Sequence, residues 1–175
     1  MVGARSTALR KGHKGVTSMA RRLRPVDLGF VGAAPVRLVF AREVSASPDQ
    51  VFHALAEDVP GWAQWFSAVT LARATDGSAG REIRLRGGTR FEETVLAAKA
   101  PELYAYRVDA TNAPGLRALA EEWRLTPRGS GTRVQWTFAA DGAAPLRFVL
   151  GLARPGLGRA FRDAVTALDR RLARR

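Results

Sequence analysis

The sequence contains no cysteine and only two histidines, His13 and His53, in 175 residues. The first absence excludes disulfides, thiolate zinc sites and a cysteine nucleophile, and it fits a reducing, cytoplasmic location. The second leaves too few parts for a multi-histidine metal site or a Ser/His/Asp arrangement. His53, on a short amphipathic helix, reads as a solvated surface residue rather than a base. No apolar run reaches transmembrane length. Gly156-Leu157-Gly158-Arg159-Ala160-Phe161 lacks the third glycine of a dinucleotide loop and follows no strand, so it reads as a helix restart. No metal and no cofactor is therefore expected.

Acid is scarce as well: 28 Lys/Arg stand against 16 Asp/Glu, for a net charge of +12. The excess sits at the ends. Residues 1 to 35 carry seven basic side chains against one acid, 154 to 175 carry seven against two, and the body between carries fourteen against thirteen. A polyanion needs a clustered basic face with aromatic platforms between the charges, and the tryptophans lie away from the charge clusters, so nucleic acid is not the expected partner. The basic end RRLARR reads most simply as favourable charge at a helix C-terminus, with contact to an acidic membrane surface left open. The oligomeric state is not written in the sequence.

With 46% apolar residues, this length supports one domain with its own core. Residues 1 to 35 show no sustained apolar period and are punctuated by Pro25 and Pro35, which predicts a disordered basic extension or a start codon placed too early. Arg21-Arg22 invites a twin-arginine reading, but the following segment contains Asp27 and is too short and broken for a signal core. The domain is expected over 36–175.

From Val36 the apolar residues alternate, the signature of half-buried strands. Val36, Leu38, Phe40 and Val44 define a first strand. Ser47-Pro48-Asp49-Gln50 supplies an N-cap serine, a first-turn proline and a capping-box glutamine, and Pro60-Gly61 ends the helix they start. The aromatic stretch VPGWAQWF, Val59 to Phe66, follows on a second short helix or turn. Six strands are then expected at about 68–75, 81–86, 90–98, 103–109, 117–127 and 132–140, divided by Asp76-Gly77, Gly87-Gly88, Pro101, Ala113-Pro114-Gly115 and Gly129-Ser130-Gly131. A helix from about Pro145, kinked at Pro155-Gly156, closes the chain, with Leu157, Phe161, Ala164, Val165, Leu168 and Leu172 as one apolar stripe.

The element order, the Trp65 cluster, the hairpin from Glu-Glu-Trp-Arg-Leu-Thr-Pro to Gly-x-Gly-Thr-Arg-Val-x-Trp, and the closing amphipathic helix together resemble the START-like or SRPBCC superfamily, within it the polyketide cyclase/dehydrase group. The resemblance covers about 36 to 173. It implies an α+β helix-grip fold: a seven-stranded curved antiparallel sheet around a long C-terminal helix, with two short helices after the first strand. It also implies a cavity between sheet and helix for a lipid- or polyketide-like molecule. Trp62, Trp65 and Phe66 would then close one end of that cavity, as wall and lid.

The alternation itself selects the inward side chains: Ile83 and Leu85, Phe91 and Val95, Tyr104, Tyr106 and Val108, Trp123 and Leu125, and Val134, Trp136 and Phe138. Phe161 meets them from the helix. Arg42, Glu93 and Glu121 share the inward phase, so each must be paired, protonated, wetted by a cavity, or turned outward by a bulge or strand end. Two function classes follow. One is a carrier or sensor of an apolar small molecule, built from Arg42, Trp62, Trp65, Phe66, Phe91, Glu93, Tyr104, Tyr106, Glu121, Trp123, Trp136 and Phe161. The other is a cyclase or aromatase with Glu93 or Glu121 as acid or base, helped by Arg42 or Tyr106 polarising a ligand carbonyl. Binding is the favoured reading because no compact catalytic constellation is visible. A ligand-responsive interaction module is a third reading.

Overall fold

The computed structural model describes residues 20–174. Strand β1 (Arg21–Arg22) and helix α1 (Phe30–Ala33) precede β2 (Val36–Val44). Helix α2 (Pro48–Phe52) follows, runs on into a π turn over His53–Glu57 and a 3₁₀ turn over Val59–Gly61, and leads to α3 (Trp62–Trp65). Strands β3 (Val69–Thr75), β4 (Gly80–Leu85), β5 (Arg90–Lys99), β6 (Leu103–Thr111), β7 (Leu116–Arg128) and β8 (Gly131–Gly142) come next, then helices α4 (Ala144–Leu152) and α5 (Arg154–Leu172). The strands make one curved antiparallel sheet in the order β2-β8-β7-β6-β5-β4-β3, with β1 added against β6.

Each expected strand is present, its limits shifted by no more than a few residues, and the expected seven are joined by the short β1 as an eighth. The α2 cap has the anticipated form. Ser47 Oγ accepts from the Gln50 amide while the Gln50 side chain accepts from the Ser47 amide, which satisfies two donors that the helix start leaves open. The anticipated kink is a break: α4 ends at Leu152, and Pro155 sits in the first turn of α5, where a proline removes no helical hydrogen bond. Phe161, Ala164, Val165, Leu168 and Leu172 of α5 are buried against the concave face of the sheet. Gly158 lets the helix approach closely there: a Cβ at that position would meet the Phe40 ring of β2 at 3.0 Å, tight enough that the ring would have to shift.

The tail expectation needs correction over residues 20–35. Leu23, Val26 and Val31 are buried. Pairing between β6 and β7 stops at Arg107 and Ala120, and the N-terminal segment enters where the two strands part. The Leu23 amide donates to the Asp109 carbonyl (2.8 Å) and the Arg24 amide to the Arg117 carbonyl (2.9 Å). Backbone groups that the split would leave open are thereby satisfied. Leu23 joins Val108, Leu116, Leu119 and Ala140, while Val26 and Val31 cover Ala118, Ala120 and Ala139. These alanines lie in the outward phase of β7 and β8, and their small side chains leave room for the segment. The rest of the expected tail, residues 1–19, lies outside the described residues.

Candidate functional site

The aromatic stretch after α2 packs inward. Trp62 lies 4.8 Å from Trp65 and meets Trp123 edge-on at 5.6 Å. Trp123 stacks on Trp136 at 5.7 Å, and Trp136 on Phe161 at 6.0 Å. A continuous aromatic column thus joins α3, the sheet and α5. Each such ring contributes on the order of 4–6 kcal/mol by buried area, which fixes α3 over the end of the sheet.

Between this column, the sheet and α5 lies a cavity of about 180 Å³. Trp62, Phe66, Ile83, Leu85, Phe91, Trp136, Phe138, Leu157 and Ala160 supply apolar walls, and four polar residues interrupt them: Arg81, Glu93, Tyr106 and Glu121. Phe66, Ala68, Leu85, Phe91, Glu121, Phe138, Leu157 and Ala160 of its lining are only half-buried, and along them the cavity nears solvent.

The four polar residues form one connected group. Arg81 and Glu93 are direct cross-strand partners on β4 and β5 and make an ion pair, with side chains 2% and 3% exposed. The Arg81 guanidinium carbon lies 3.8 Å from the Tyr106 ring centre and 4.3 Å from that of Trp62. Two ring faces thus attract a cation that has lost its water. Arg81 Nη1 is buried without a hydrogen-bond partner among the described residues. Tyr106 Oη donates to Glu121 Oε2 (2.6 Å) and accepts from Trp123 Nε1 (3.1 Å), and Trp136 Nε1 donates to the same carboxylate oxygen (2.9 Å).

Charge counting explains how these groups titrate. One guanidinium serves two carboxyls, Glu93 buried and Glu121 half-buried, so a proton is favoured on the acid pair. Burial pushes the Glu93 carboxyl up to about 7, against the pull of Arg81 and with the Glu121 charge adding to the rise. Burial also raises Glu121, although hydrogen bonds from Tyr106 and Trp136 and the Arg81 charge oppose it. Burial alone would disfavour the Arg81 cation, but Glu93 and the two tyrosines outweigh it, and Arg81 stays charged. The Tyr106 phenol, raised well above its ordinary value first by burial and then by the Glu121 charge, stays neutral.

Of the residues read from the sequence, Trp62, Phe66, Phe91, Glu93, Tyr106, Glu121 and Trp136 line the cavity. Trp65, Tyr104, Trp123 and Phe161 are buried behind that wall. Trp65 is a plug rather than a lid. Its Nε1 finds no partner among the described residues, whereas Trp62 Nε1 donates to the Leu55 carbonyl at 2.9 Å. Arg42 is misplaced in the sequence reading: it is exposed on β2, at the sheet edge, and the partner of Glu93 is Arg81. Arg81 was the omission, although it stands two positions before Ile83 and four before Leu85 in the same inward phase. His53 is exposed and pairs with Glu57.

A curved sheet gripping a C-terminal helix over a largely apolar cavity is the helix-grip architecture of START-like proteins. Residues 35–173 match the family model described as polyketide cyclase/dehydrase and lipid transport, and the chain belongs to that family. It is 28% identical over 150 residues to an uncharacterized protein of Mycobacterium tuberculosis, covering 83% of this chain and 89% of that one. Among solved structures, a START superfamily protein from Mycobacterium smegmatis superposes with a TM-score of 0.62 at 11% identity, over 79% of this chain and 97% of the other. DynU16, a protein of the dynemicin biosynthetic locus, gives a TM-score of 0.57 at 22% identity, over 78% of this chain and 47% of its own. At these identities the structural likeness speaks for the fold alone.

Proposed function

We propose that the chain binds a small ring-bearing molecule with one polar, oxygen-containing end, held in the cavity between the sheet and α5. The observation that carries this reading is the convergence of Arg81, Glu93, Tyr106 and Glu121 on an otherwise apolar cavity. Apolar walls supply affinity and a few placed polar groups supply orientation. Size narrows the class. A cavity of about 150 Å³ accepts benzene, and drug-sized ligands fill roughly 300–1,000 Å³. The 180 Å³ here suits one or two rings, with any longer portion extending toward the half-buried side. Isothermal titration with 2-naphthol tests it: one saturable site is expected, and Ala160→Trp, which fills the cavity from α5, should abolish binding while the variant stays folded. Saturable binding that Ala160→Trp leaves unchanged, or none at all, removes the reading.

Acid–base chemistry on the bound molecule is the second reading, favoured by one specific observation. Two carboxyls with raised affinity for a proton, one buried and one half-buried, face the same cavity beside a charged arginine. The protonated carboxyl would donate to a ligand carbonyl while the ionised one takes a proton from the adjacent carbon. Exchange of the acidic C–H of 2-tetralone for deuterium, followed by NMR, separates an enzyme from a carrier. Enzyme-dependent exchange lost in Glu121→Gln supports chemistry, and exchange no faster than in buffer leaves binding alone.

A further inference from the structure

Helix α4 is apolar on two opposite faces, and only one of them has a partner. Leu146 and Leu150, one turn apart, are half-buried against the cluster of Leu23, Val108, Leu116, Leu119 and Ala140. On the other side Phe148, Val149 and Leu152 are 69%, 55% and 67% exposed, the exposed large apolar side chains of the described residues. A helix apolar all round belongs in a core or a bilayer rather than in water. The same stretch of chain, α4 and the first half of α5, carries Arg147, Arg154, Arg159 and Arg162, all exposed and none in an ion pair with a described residue, and the last three lie together beside Phe40. No acid occurs between Asp141 and Asp163.

We propose that α4 and the start of α5 form a docking surface for an anionic lipid membrane, with Phe148, Val149 and Leu152 entering the interface and the four arginines meeting the headgroups. Charge complementarity selects this occupant. A second copy related by a two-fold axis would set the same arginines against each other. Residues 1 to 19 carry four basic side chains and no acid, so they do not complement the patch either. An anionic lipid surface supplies both an apolar layer and the opposite charge, each arginine near it adding to the attraction. At nine residues α4 is too short to cross a bilayer, so it lies along the surface. The placement is pertinent to the cavity. Leu146 and Leu150 share their cluster with Phe91 and Phe138, two of its walls, so docking brings that end of the cavity to the lipid.

The test is co-sedimentation of the full chain with vesicles of equal parts phosphatidylglycerol and phosphatidylcholine, and with phosphatidylcholine alone. Docking requires pelleting with the mixed vesicles and far less with the neutral ones. The Phe148→Ser/Leu152→Ser variant should lose about tenfold or more in partitioning, and Arg154→Gln/Arg159→Gln about tenfold. All four side chains are exposed, so unchanged melting curves are expected to confirm the fold of both variants. Equal pelleting by Phe148→Ser/Leu152→Ser and the unmodified protein would assign the binding to the basic ends and overturn the proposal. Failure to pellet, equal pelleting with neutral vesicles, or a concentration-dependent dimer abolished by the same substitutions would overturn it too. None of these measurements depends on the cavity being occupied.

Discussion

Arg81 on β4 and Glu93 on β5 stand directly opposite each other, buried as an ion pair in the wall of the cavity. Burial removes the water that would otherwise solvate both charges, so each depends on the other and on the rings of Trp62 and Tyr106. Arg81→Met removes the only cation of the group and leaves Glu93 and Glu121 facing each other. At pH 8, where the acids are most ionised, urea unfolding should show a loss of about 3–5 kcal/mol. The Arg81→Met/Glu93→Gln double variant should recover part of it, giving a coupling well above that of an exposed pair. Additive losses would mean that the two side chains do not act as a pair.

The pH dependence has a definite sign. Glu93 is raised to about 7 from an ordinary value of 4.5, so the folded chain binds this proton more tightly than the unfolded one. Its contribution is fully present below about 4.5 and is lost as the pH climbs to about 7, on the order of a few kcal/mol at most. Glu93→Gln mimics the protonated carboxyl and should flatten that part of the stability profile while costing little at pH 5. A variant as pH-sensitive as the parent between pH 4.5 and 7 would place the titration elsewhere.

Most of the sheet was legible because each strand buries one face, so period-two alternation reports the inner side chains directly. That rule found Glu93 and Glu121, and it covers Arg81 as well. Arg81 escaped because it is the first residue of the expected strand 81–86, and a charged side chain at a strand end ordinarily turns to solvent. Arg42 failed for the converse reason: phase states which face a residue occupies, not how far cover extends along an edge strand. Trp62 and Trp65 lie one helical turn apart on α3, and spacing alone does not say which ring reaches the cavity. The N-terminal segment was illegible because it docks through isolated residues, Leu23, Val26 and Val31, rather than a periodic face. A signal did exist in Ala118, Ala120 and Ala139, small apolar residues where exposed strands carry polar ones.

Truncation separates the two parts of that segment. Removal of residues 1 to 19 leaves every contact among the described residues intact and should leave the melting temperature within a few degrees. Removal of residues 1 to 35 takes away Leu23, Val26 and Val31, each worth about 1.5–3 kcal/mol of burial, and reopens the split between β6 and β7. A fall in melting temperature of more than about 10 °C is expected for the longer truncation. Equal melting of the two truncated chains would show that the segment adds nothing to the domain.

Tyr106 is the residue whose removal distinguishes a structural network from a binding site. Its hydroxyl accepts from Trp123 Nε1 and donates to Glu121, so Tyr106→Phe strands one buried donor and takes one donor from a half-buried carboxyl. The stranded indole N–H should cost about 1–3 kcal/mol in urea unfolding. For Glu121 the sign follows from the forces on it. Burial raises its affinity for a proton and the Tyr106 hydrogen bond lowers it, so the variant's Glu121 titrates higher than the parent's. If Glu121 meets the polar end of a bound molecule, the pH midpoint of 2-naphthol binding must move upward in Tyr106→Phe, a change that weakened packing does not produce. Trp136→Phe removes the other donor to the same oxygen and should shift the midpoint the same way, although it also alters a cavity wall. Binding whose pH midpoint stays fixed in both variants, while stability falls as expected, would confine Tyr106 and Glu121 to the core and leave Arg81 and Glu93 as the polar end of the site.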